Sequence, residues 1–234
     1  MFPYERILVA LDTMDSGCAQ KLISKLSGHI GGVKIGNEFF TANGPQGVRN
    51  VVGDKQPLFL DLKFHDIPNT VIGALRSAMA LRPIIVNVHA SGGAAMLRAA
   101  AKTVSEAGSS RPLLIAVTVL TSLEDKDMAD IGLRSSVADQ AIRLAQLTQD
   151  CGLDGVVCSP HEISAIREVC GSNFKLVVPG IRPDWAAKGD QKRITTPRQA
   201  VDLGADYLVI GRPITEDENP VRAAKRIGKE LSDT

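Results

Sequence analysis

Residues 57–66 decide how the rest of the chain is interpreted, and they read Pro-Leu-Phe-Leu-Asp-Leu-Lys-Phe-His-Asp. Because side chains alternate between the two faces of a β-strand, the three leucines share one face, and Asp61 and Lys63 share the other with Phe59. Asp66 follows in the connecting turn, close enough in sequence to reach back towards Lys63. The pattern predicts a cation between two carboxylates at the mouth of an apolar scaffold.

The overall composition is that of an ordinary globular protein. The chain has 234 residues, of which 44% are hydrophobic and 23% are charged, and this fits one large domain. A formal net charge of +1 argues against a nucleic acid or an anionic membrane as partner. Residues 1–6 lead directly into a strand-like run without the apolar segment of a signal peptide, and no later run is long enough to span a bilayer.

The cysteines and histidines do not predict a metal site. Cys18, Cys151, Cys158 and Cys170 form no Cys-x-x-Cys pair, and the four histidines have no metal-ligand spacing. We therefore expect the thiols to be reduced, buried and apolar in character. Reduced cysteines favour a cytoplasmic location.

Short apolar runs, many of them rich in β-branched residues, recur along the whole chain. They cover residues 7–11, 32–36, 57–60, 84–88, 113–120, 155–158, 176–178 and 207–210. Runs of this kind are typical of buried parallel strands. Segments with helical spacing lie between them, and Asp15 or Ser16, Thr196 and Asn219 each stand where a helix would begin.

Eight strand-then-helix units predict an α/β fold with a parallel sheet and right-handed crossovers. In 234 residues this fits a closed (β/α)8 TIM barrel that forms a single domain over the whole chain. A doubly wound open sheet is the alternative, but no Gly-x-Gly-x-x-Gly follows the first strand.

Polar residues stand where the apolar runs end, which is where a TIM barrel gathers its chemistry. They are Asp12, Lys34, Asp61, Lys63, His89, Thr121 and Arg212. Each could instead have a purely structural role. Asp12 could cap a helix, and we favour the interpretation that His89 is a core histidine bonded to a carbonyl. Two lysines and two aspartates around one rim would be an expensive arrangement for stability alone, so a functional role is better supported.

The second half of the chain predicts a lid and a phosphate grip. Residues 181–193 are polar and contain Gly189. They form a longer connection than a barrel loop needs, and long connections of this kind are often lids. Gly211 and Arg212 follow the last strand, at the usual phosphate-binding place of this fold. The guanidinium can hold phosphate oxygens bidentately, and the glycine permits a close approach of the main chain.

These motifs resemble the orotidine 5′-monophosphate decarboxylase family in its shorter bacterial form. The resemblance rests on Asp61-Leu62-Lys63-Phe64-His65-Asp66-Ile67-Pro68-Asn69-Thr70, on Pro179-Gly180-Ile181-Arg182-Pro183, on Gly189-Asp190-Gln191 and on Ile210-Gly211-Arg212-Pro213. The motifs occur in the family's order and span essentially the whole chain.

The resemblance implies a role for each matching residue. Lys63 would protonate C6 of the pyrimidine after carbon dioxide has left, within a charged array completed by Lys34, Asp61 and Asp66. Asp66, with Ile67 and Thr70 beside it, would reach into the site of a partner subunit, so the enzyme would be a homodimer with shared sites. The substrate contacts would come from Asp12 and Lys34 on the ribose, from Thr121 on the pyrimidine, and from Arg182, Gln191, Gly211 and Arg212 at the phosphate and lid.

The chemistry implied by the resemblance needs no cofactor. Decarboxylation at C6 leaves an electron pair that the ring cannot delocalise, and most decarboxylases use a cofactor as the electron sink. No lysine here lies in a recognisable pyridoxal-phosphate or thiamine motif. A fixed ammonium where the carbanion forms is the remaining device, and Lys63 can also deliver the proton.

Two alternatives remain open on the sequence. Related barrels share Asp-x-Lys-x-x-Asp but use magnesium, and they carry a Glu at the end of strand two, where this chain has Lys34. A non-catalytic nucleotide-binding barrel would need the phosphate grip but not the charged array around Lys63.

Overall fold

The computed structural model describes residues 2–186 and 195–232. Within them, eight strands follow one another along the chain and pair side by side. They are β1 (Ile7–Ala10), β2 (Gly32–Gly36), β3 (Leu58–Phe64), β4 (Ile85–His89), β5 (Leu113–Val117), β6 (Gly155–Val157), β7 (Lys175–Val178) and β8 (Tyr207–Ile210).

Helices separate the strands and cover the outside of the sheet. They are α1 (Ser16–Leu26), α2 (Asn37–Val52), α3 (Pro68–Met79), α4 (Gly93–Ser105), α5 (Asp125–Asp130), α6 (Val137–Asp150), α7 (Ile163–Cys170), α8 (Pro197–Leu203), α9 (Arg212–Thr215) and α10 (Pro220–Glu230). Short 3-10 turns occupy Pro3–Arg6, Ala90–Gly92, Gly108–Ser110 and Pro160–Glu162.

The sheet closes on itself, which confirms the prediction of a (β/α)8 barrel. All neighbouring strands are parallel, and β1 pairs with β8 through Leu8 opposite Val209. The open doubly wound sheet is thereby ruled out. No helix in the described part of the chain is both long and apolar enough to cross a membrane.

Alternation along the strands divides the apolar residues into two clusters. The inner cluster fills the barrel and includes Leu8, Phe59, Ile115 and Val209. The larger outer cluster lies between sheet and helices and takes up the alternate positions of the same strands. In β3 the predicted division holds, because Leu58 and Leu60 are buried in the outer cluster while Phe59 faces inward.

Helix starts follow the polar residues expected from the sequence. Asp15 accepts a hydrogen bond from the main-chain N–H of Cys18, and Asn219 accepts one from that of Arg222. Thr196 and Gln199 form a reciprocal capping box at the start of α8. These side chains satisfy main-chain donors that have no partner within the helix.

Two local expectations were wrong. β5 ends at Val117 rather than at residue 120, and the Thr118 hydroxyl and main-chain N–H both donate to the carbonyl of Val157. The connection after β5 also holds a short helix, α5, ahead of α6. Cys18 is exposed, while the other three cysteines are buried as predicted, and all four are free thiols.

Candidate active site

A cavity of about 280 Å³ opens at the carboxyl ends of the strands. Most of the residues predicted to form the site line it, although they come from β2 and β3 and from the segments that follow β1, β5, β7 and β8. They are Asp12, Lys34, Asp61, Lys63, Thr121, Arg182, Gly211 and Arg212. This volume is near the lower end of the range for small-molecule sites.

Four charged side chains of alternating sign lie in a row along one wall of the cavity, and we call them the ion network. The Nζ of Lys34 lies 3.3 Å from the Oδ1 of Asp12 and 3.3 Å from the Oδ2 of Asp61. The Nζ of Lys63 lies 2.8 Å from the Oδ1 of Asp61. The predicted neighbours on the first three strands are therefore brought together, with Asp61 as the link between the two ammonium groups.

The two middle members of the ion network are its most buried side chains. The side chain of Asp12 is 60% exposed, whereas those of Lys34 and Asp61 are only 11% and 9% exposed. Gly36 at the end of β2 leaves room for the buried ammonium, since a Cβ there would lie 3.2 Å from the Nζ of Lys34. Removing water strengthens each pairwise attraction, and the geometry of the four groups is set before any ligand arrives.

Asn87 on β4 completes the network, and the sequence reading missed it. Its side chain is fully buried, its Nδ2 donates to the Oδ1 of Asp61 at 2.7 Å, and its Oδ1 accepts from the main-chain N–H of Lys63 at 2.8 Å. A polar residue inside the apolar run of residues 84–88, two positions before His89 and so on the same face, was the signal that could have revealed it.

Asp66 does not reach Lys63 of its own chain, so that prediction was wrong. Its carboxylate Oδ1 accepts from the N–H of Ile67 at 2.7 Å, and the residue is exposed. Ile67, 67% exposed, and Thr70 share this exposed surface at the start of α3, outside the cavity. The turn after β3 therefore carries these three side chains away from the ion network of the same chain.

The part of the cavity wall that follows β7 and β8 carries the two arginines expected at a phosphate. Arg182 is buried after β7, and its main-chain N–H donates to the carbonyl of Thr195 at 3.0 Å. Arg212 is exposed at the start of α9. Gly211 lines the cavity, although a Cβ there would make only ordinary contact with Ala10 at 3.6 Å. Gln191 lies outside the described residues.

His89 is half-buried at the end of β4 and stacks obliquely on His65, with ring centroids 5.5 Å apart. Burial lowers the pKa of the His89 imidazole, and the neighbouring His65 and Lys63 lower it further while Asp61 raises it. The ring contact with His65 takes the place of the carbonyl partner that we predicted.

The wall of the cavity suits an anionic ligand that develops charge near Lys63. The Lys63 ammonium provides positive charge and a proton, and the arginines after β7 and β8 offer a second anion site in the same cavity. Among residues 2–186 and 195–232, no three His, Cys, Asp or Glu side chains come together in a way that could hold a metal ion.

Comparison with known proteins identifies the family. Residues 5–227 match the model of the orotidine 5'-phosphate decarboxylase / HUMPS family. Relatives named orotidine 5'-phosphate decarboxylase from Paramagnetospirillum magneticum and Rhodospirillum rubrum are each 51% identical, covering 96% of this chain and 97% and 93% of their own lengths. A crystal structure of orotidine 5'-phosphate decarboxylase from Lactobacillus acidophilus superposes with a TM-score of 0.85 at 36% identity, covering 96% of this chain and 98% of that one. The chain therefore belongs to the orotidine 5'-phosphate decarboxylase / HUMPS family.

Proposed function

We propose that this chain decarboxylates orotidine 5′-monophosphate to uridine 5′-monophosphate and carbon dioxide, a step of pyrimidine biosynthesis, without a cofactor. The observation that carries the proposal is the ammonium of Lys63, held 2.8 Å from a buried carboxylate in the wall of the cavity. The membership of the family and the relatives at 51% identity support the reaction itself.

The proposed mechanism uses charge that is in place before the reaction begins. As the bond from C6 to the carboxylate breaks, its electron pair stays on C6 and carbon dioxide departs. The Lys63 ammonium stabilises this carbanion and then transfers a proton to C6, which forms uridine 5′-monophosphate. Asp61 keeps the ammonium in position, so no reorganisation is needed in the transition state.

The remaining contacts would orient the nucleotide. We assign the ribose hydroxyls to Asp12 and Lys34, and the pyrimidine to Thr121. The phosphate would lie against Arg212, Gly211, Arg182 and Gln191. Binding energy from a phosphate remote from C6 can be used to close the site and orient the reacting carbon.

Replacement of the lysine tests the mechanism directly. Lys63→Ala should turn over orotidylate at less than about one-thousandth of the wild-type rate, because one preorganised charge contributes about 10²–10³ and the proton donor is lost as well. Binding of uridine 5′-monophosphate should persist. Absorbance loss of orotidylate and calorimetric titration measure the two properties, and near-normal turnover would disprove the role of Lys63.

The magnesium-dependent alternative is disfavoured by the position of Lys34. Its ammonium lies 3.3 Å from both Asp12 and Asp61, so it occupies the place where a divalent cation would have to share these carboxylates. We expect full activity after treatment with EDTA. A loss that magnesium restores would favour the alternative instead.

We also propose a homodimer in which Asp66, Ile67 and Thr70 complete the partner's site. Their exposure outside the cavity of their own chain supports this. Mixing equal amounts of inactive Lys63→Ala and Asp66→Asn chains should restore about a quarter of wild-type activity, because half of the dimers are hybrids and each hybrid has one intact site. No recovery after verified subunit exchange would contradict the shared site.

A cytoplasmic location is also part of the proposal. It is supported by the four free thiols, three of which are buried.

A further inference from the structure

We infer that Asn87 is a positioning residue, which holds Lys63 and Asp61 in their reactive arrangement by binding the main chain of one and the side chain of the other. The inference rests on the proposed role of Lys63 and adds a residue from a strand that contributes no other group to the ion network.

Lys63 has an unusual backbone for a residue within a strand. Its φ of 52° lies in the left-handed region, which residues other than glycine rarely occupy. A residue held there under strain costs about 1–3 kcal/mol of stability. A conformation of this kind persists only when the surroundings hold it. Among the described residues outside glycine, only Lys63 and Arg82 adopt a positive φ, and Arg82 is exposed on a surface loop.

The pairing of β3 with β4 is irregular at the same point. Leu60 lies opposite Val86, but Phe64 lies opposite Val88, so β3 advances four residues while β4 advances two. The extra residues of a bulge leave part of the ladder unpaired and redirect side chains. Asn87 is the β4 residue opposite this bulge, and it faces the barrel interior, as Ile85 of the inner cluster does.

The side chain of Asn87 replaces the missing ladder hydrogen bond. The N–H of Lys63 donates to its Oδ1 at 2.8 Å, and its Nδ2 donates to the Oδ1 of Asp61 at 2.7 Å. The two partners settle which end of the amide faces which group, since an N–H needs an acceptor and a carboxylate needs a donor. One buried amide thus couples the backbone of Lys63 to the carboxylate that binds its ammonium.

This coupling has a consequence for catalysis. The Oδ1 of Asp61 accepts from both the Asn87 amide and the Lys63 ammonium, so its position depends on both. Without the amide, the bulge loses the bond that holds the left-handed turn, and the ammonium can shift relative to the reacting carbon. A displacement of about 1 Å can lower the rate by about 10²-fold.

The experiment compares Asn87→Leu, Asn87→Asp and Asn87→Ser with wild type. Leu is similar in size but cannot make either bond. Asp keeps an acceptor for the Lys63 N–H but turns a second carboxylate oxygen towards Asp61. Ser is smaller, and its hydroxyl could restore part of the pairing. We expect kcat to fall about 10²-fold or more in Leu and Asp, with KM changed less than about tenfold, and Ser to be intermediate.

Two further measurements separate positioning from a general loss of stability. The amide of Lys63 should exchange with solvent faster in Asn87→Leu than in wild type, since its acceptor is gone. Thr148→Val is the matched control, because Thr148 is also fully buried and hydrogen-bonded, to Leu144 within α6, away from the site. It should unfold more easily and keep wild-type kcat.

The results distinguish the positioning role of Asn87 from the proposed role of Lys63. Wild-type kcat in folded Asn87→Leu, or a loss of kcat equal to that of Thr148→Val, would overturn the positioning role. An unchanged rate of exchange at the Lys63 amide would overturn it as well. If Lys63→Ala itself stayed active, the proposed mechanism would fail, whatever the Asn87 variants showed.

Discussion

Asp61 and Asp206 are both carboxylates that bridge two cations, but they lie at opposite ends of the barrel. Asp61 lies between Lys34 and Lys63 at the carboxyl ends of the strands. Asp206 immediately precedes β8, where it binds Arg167 at 2.9 Å and Lys175 at 3.2 Å.

The difference lies in what else the two carboxylates and their cations bind. Asp206 also accepts from the main-chain N–H of Leu176, and Arg167 donates to the carbonyls of Gly171, Phe174 and Gly204. Its network therefore ties strand ends and loops together. Asp61 and its lysines line a cavity instead, with ammonium groups that point to an open space. On the proposed function, similar charge pairs would serve stability at one end of a TIM barrel and chemistry at the other, according to whether the main chain or a cavity surrounds them.

Neutralising Asp61 should have the largest effect. Asp61→Asn removes the anion that both lysines share and leaves the Asn87 amide facing another amide. We expect kcat to fall about 10³-fold or more in a protein that is still folded. Stopped assays with orotidylate, alongside circular dichroism, measure this. A variant with more than a tenth of wild-type kcat would remove the contrast between the two ends.

Replacing Arg212 should have the next largest effect. Arg212→Ala should lower kcat/KM about 10²–10³-fold for orotidine 5′-monophosphate, because the bidentate grip on the phosphate is lost. Turnover of orotidine, which lacks the phosphate, should be equal in the variant and in wild type. If the variant were impaired equally on both substrates, Arg212 would act on something other than the phosphate.

Asp206→Asn is the matched change at the other end of the barrel. It leaves Arg167 and Lys175 without their common carboxylate, and breaking such a part-buried network should reduce the free energy of unfolding by about 3 kcal/mol. Chemical denaturation measures this loss. The value of kcat should stay within about twofold of wild type, since no member of the network lines the cavity. A tenfold loss of kcat in the folded variant would show that the two ends are coupled.

The smallest expected effect concerns His89, next to the ion network. Burial lowers the pKa of its imidazole, so the neutral ring is favoured in the folded state. Its contribution to stability is fully present above about pH 6.5, the unfolded value, and is lost as the pH falls through the lowered folded pKa. Urea titrations at the chosen conditions of pH 7.5 and pH 5 measure this effect. Between them, wild type should lose more free energy of unfolding than His89→Gln. An identical pH dependence in both proteins would contradict this.

Much of this arrangement was predictable because it follows from alternation. Residues 57–66 predict a strand that ends in polar residues. Asp61 is two positions after Phe59, so its side chain points into the barrel as that of Phe59 does. The place of Lys34 and Asp12 beside it follows from the adjacency of β1, β2 and β3 in a parallel barrel.

The remaining features depend on geometry that departs from alternation. The bulge in β3 and the left-handed turn at Lys63 arise where β3 and β4 fall out of register, and no residue in β3 is a glycine that would mark the position. The direction of Asp66 is set by a turn, in which closeness in sequence does not fix the reach of a side chain. The kink of α2 at Gly44, followed by Pro45, did have a local signal, since this pair interrupts regular helix.

The pairing of β1 with β8 also determines when the cavity can exist during folding. Asp12 follows the first strand and Arg212 follows the last, so these neighbours on the cavity rim come from segments about 200 residues apart and meet only when the ring of strands has closed. A chain that has formed its early strands but not docked the final one has half a binding site. Enzymatic turnover therefore cannot recover during refolding before this long-range pairing has formed.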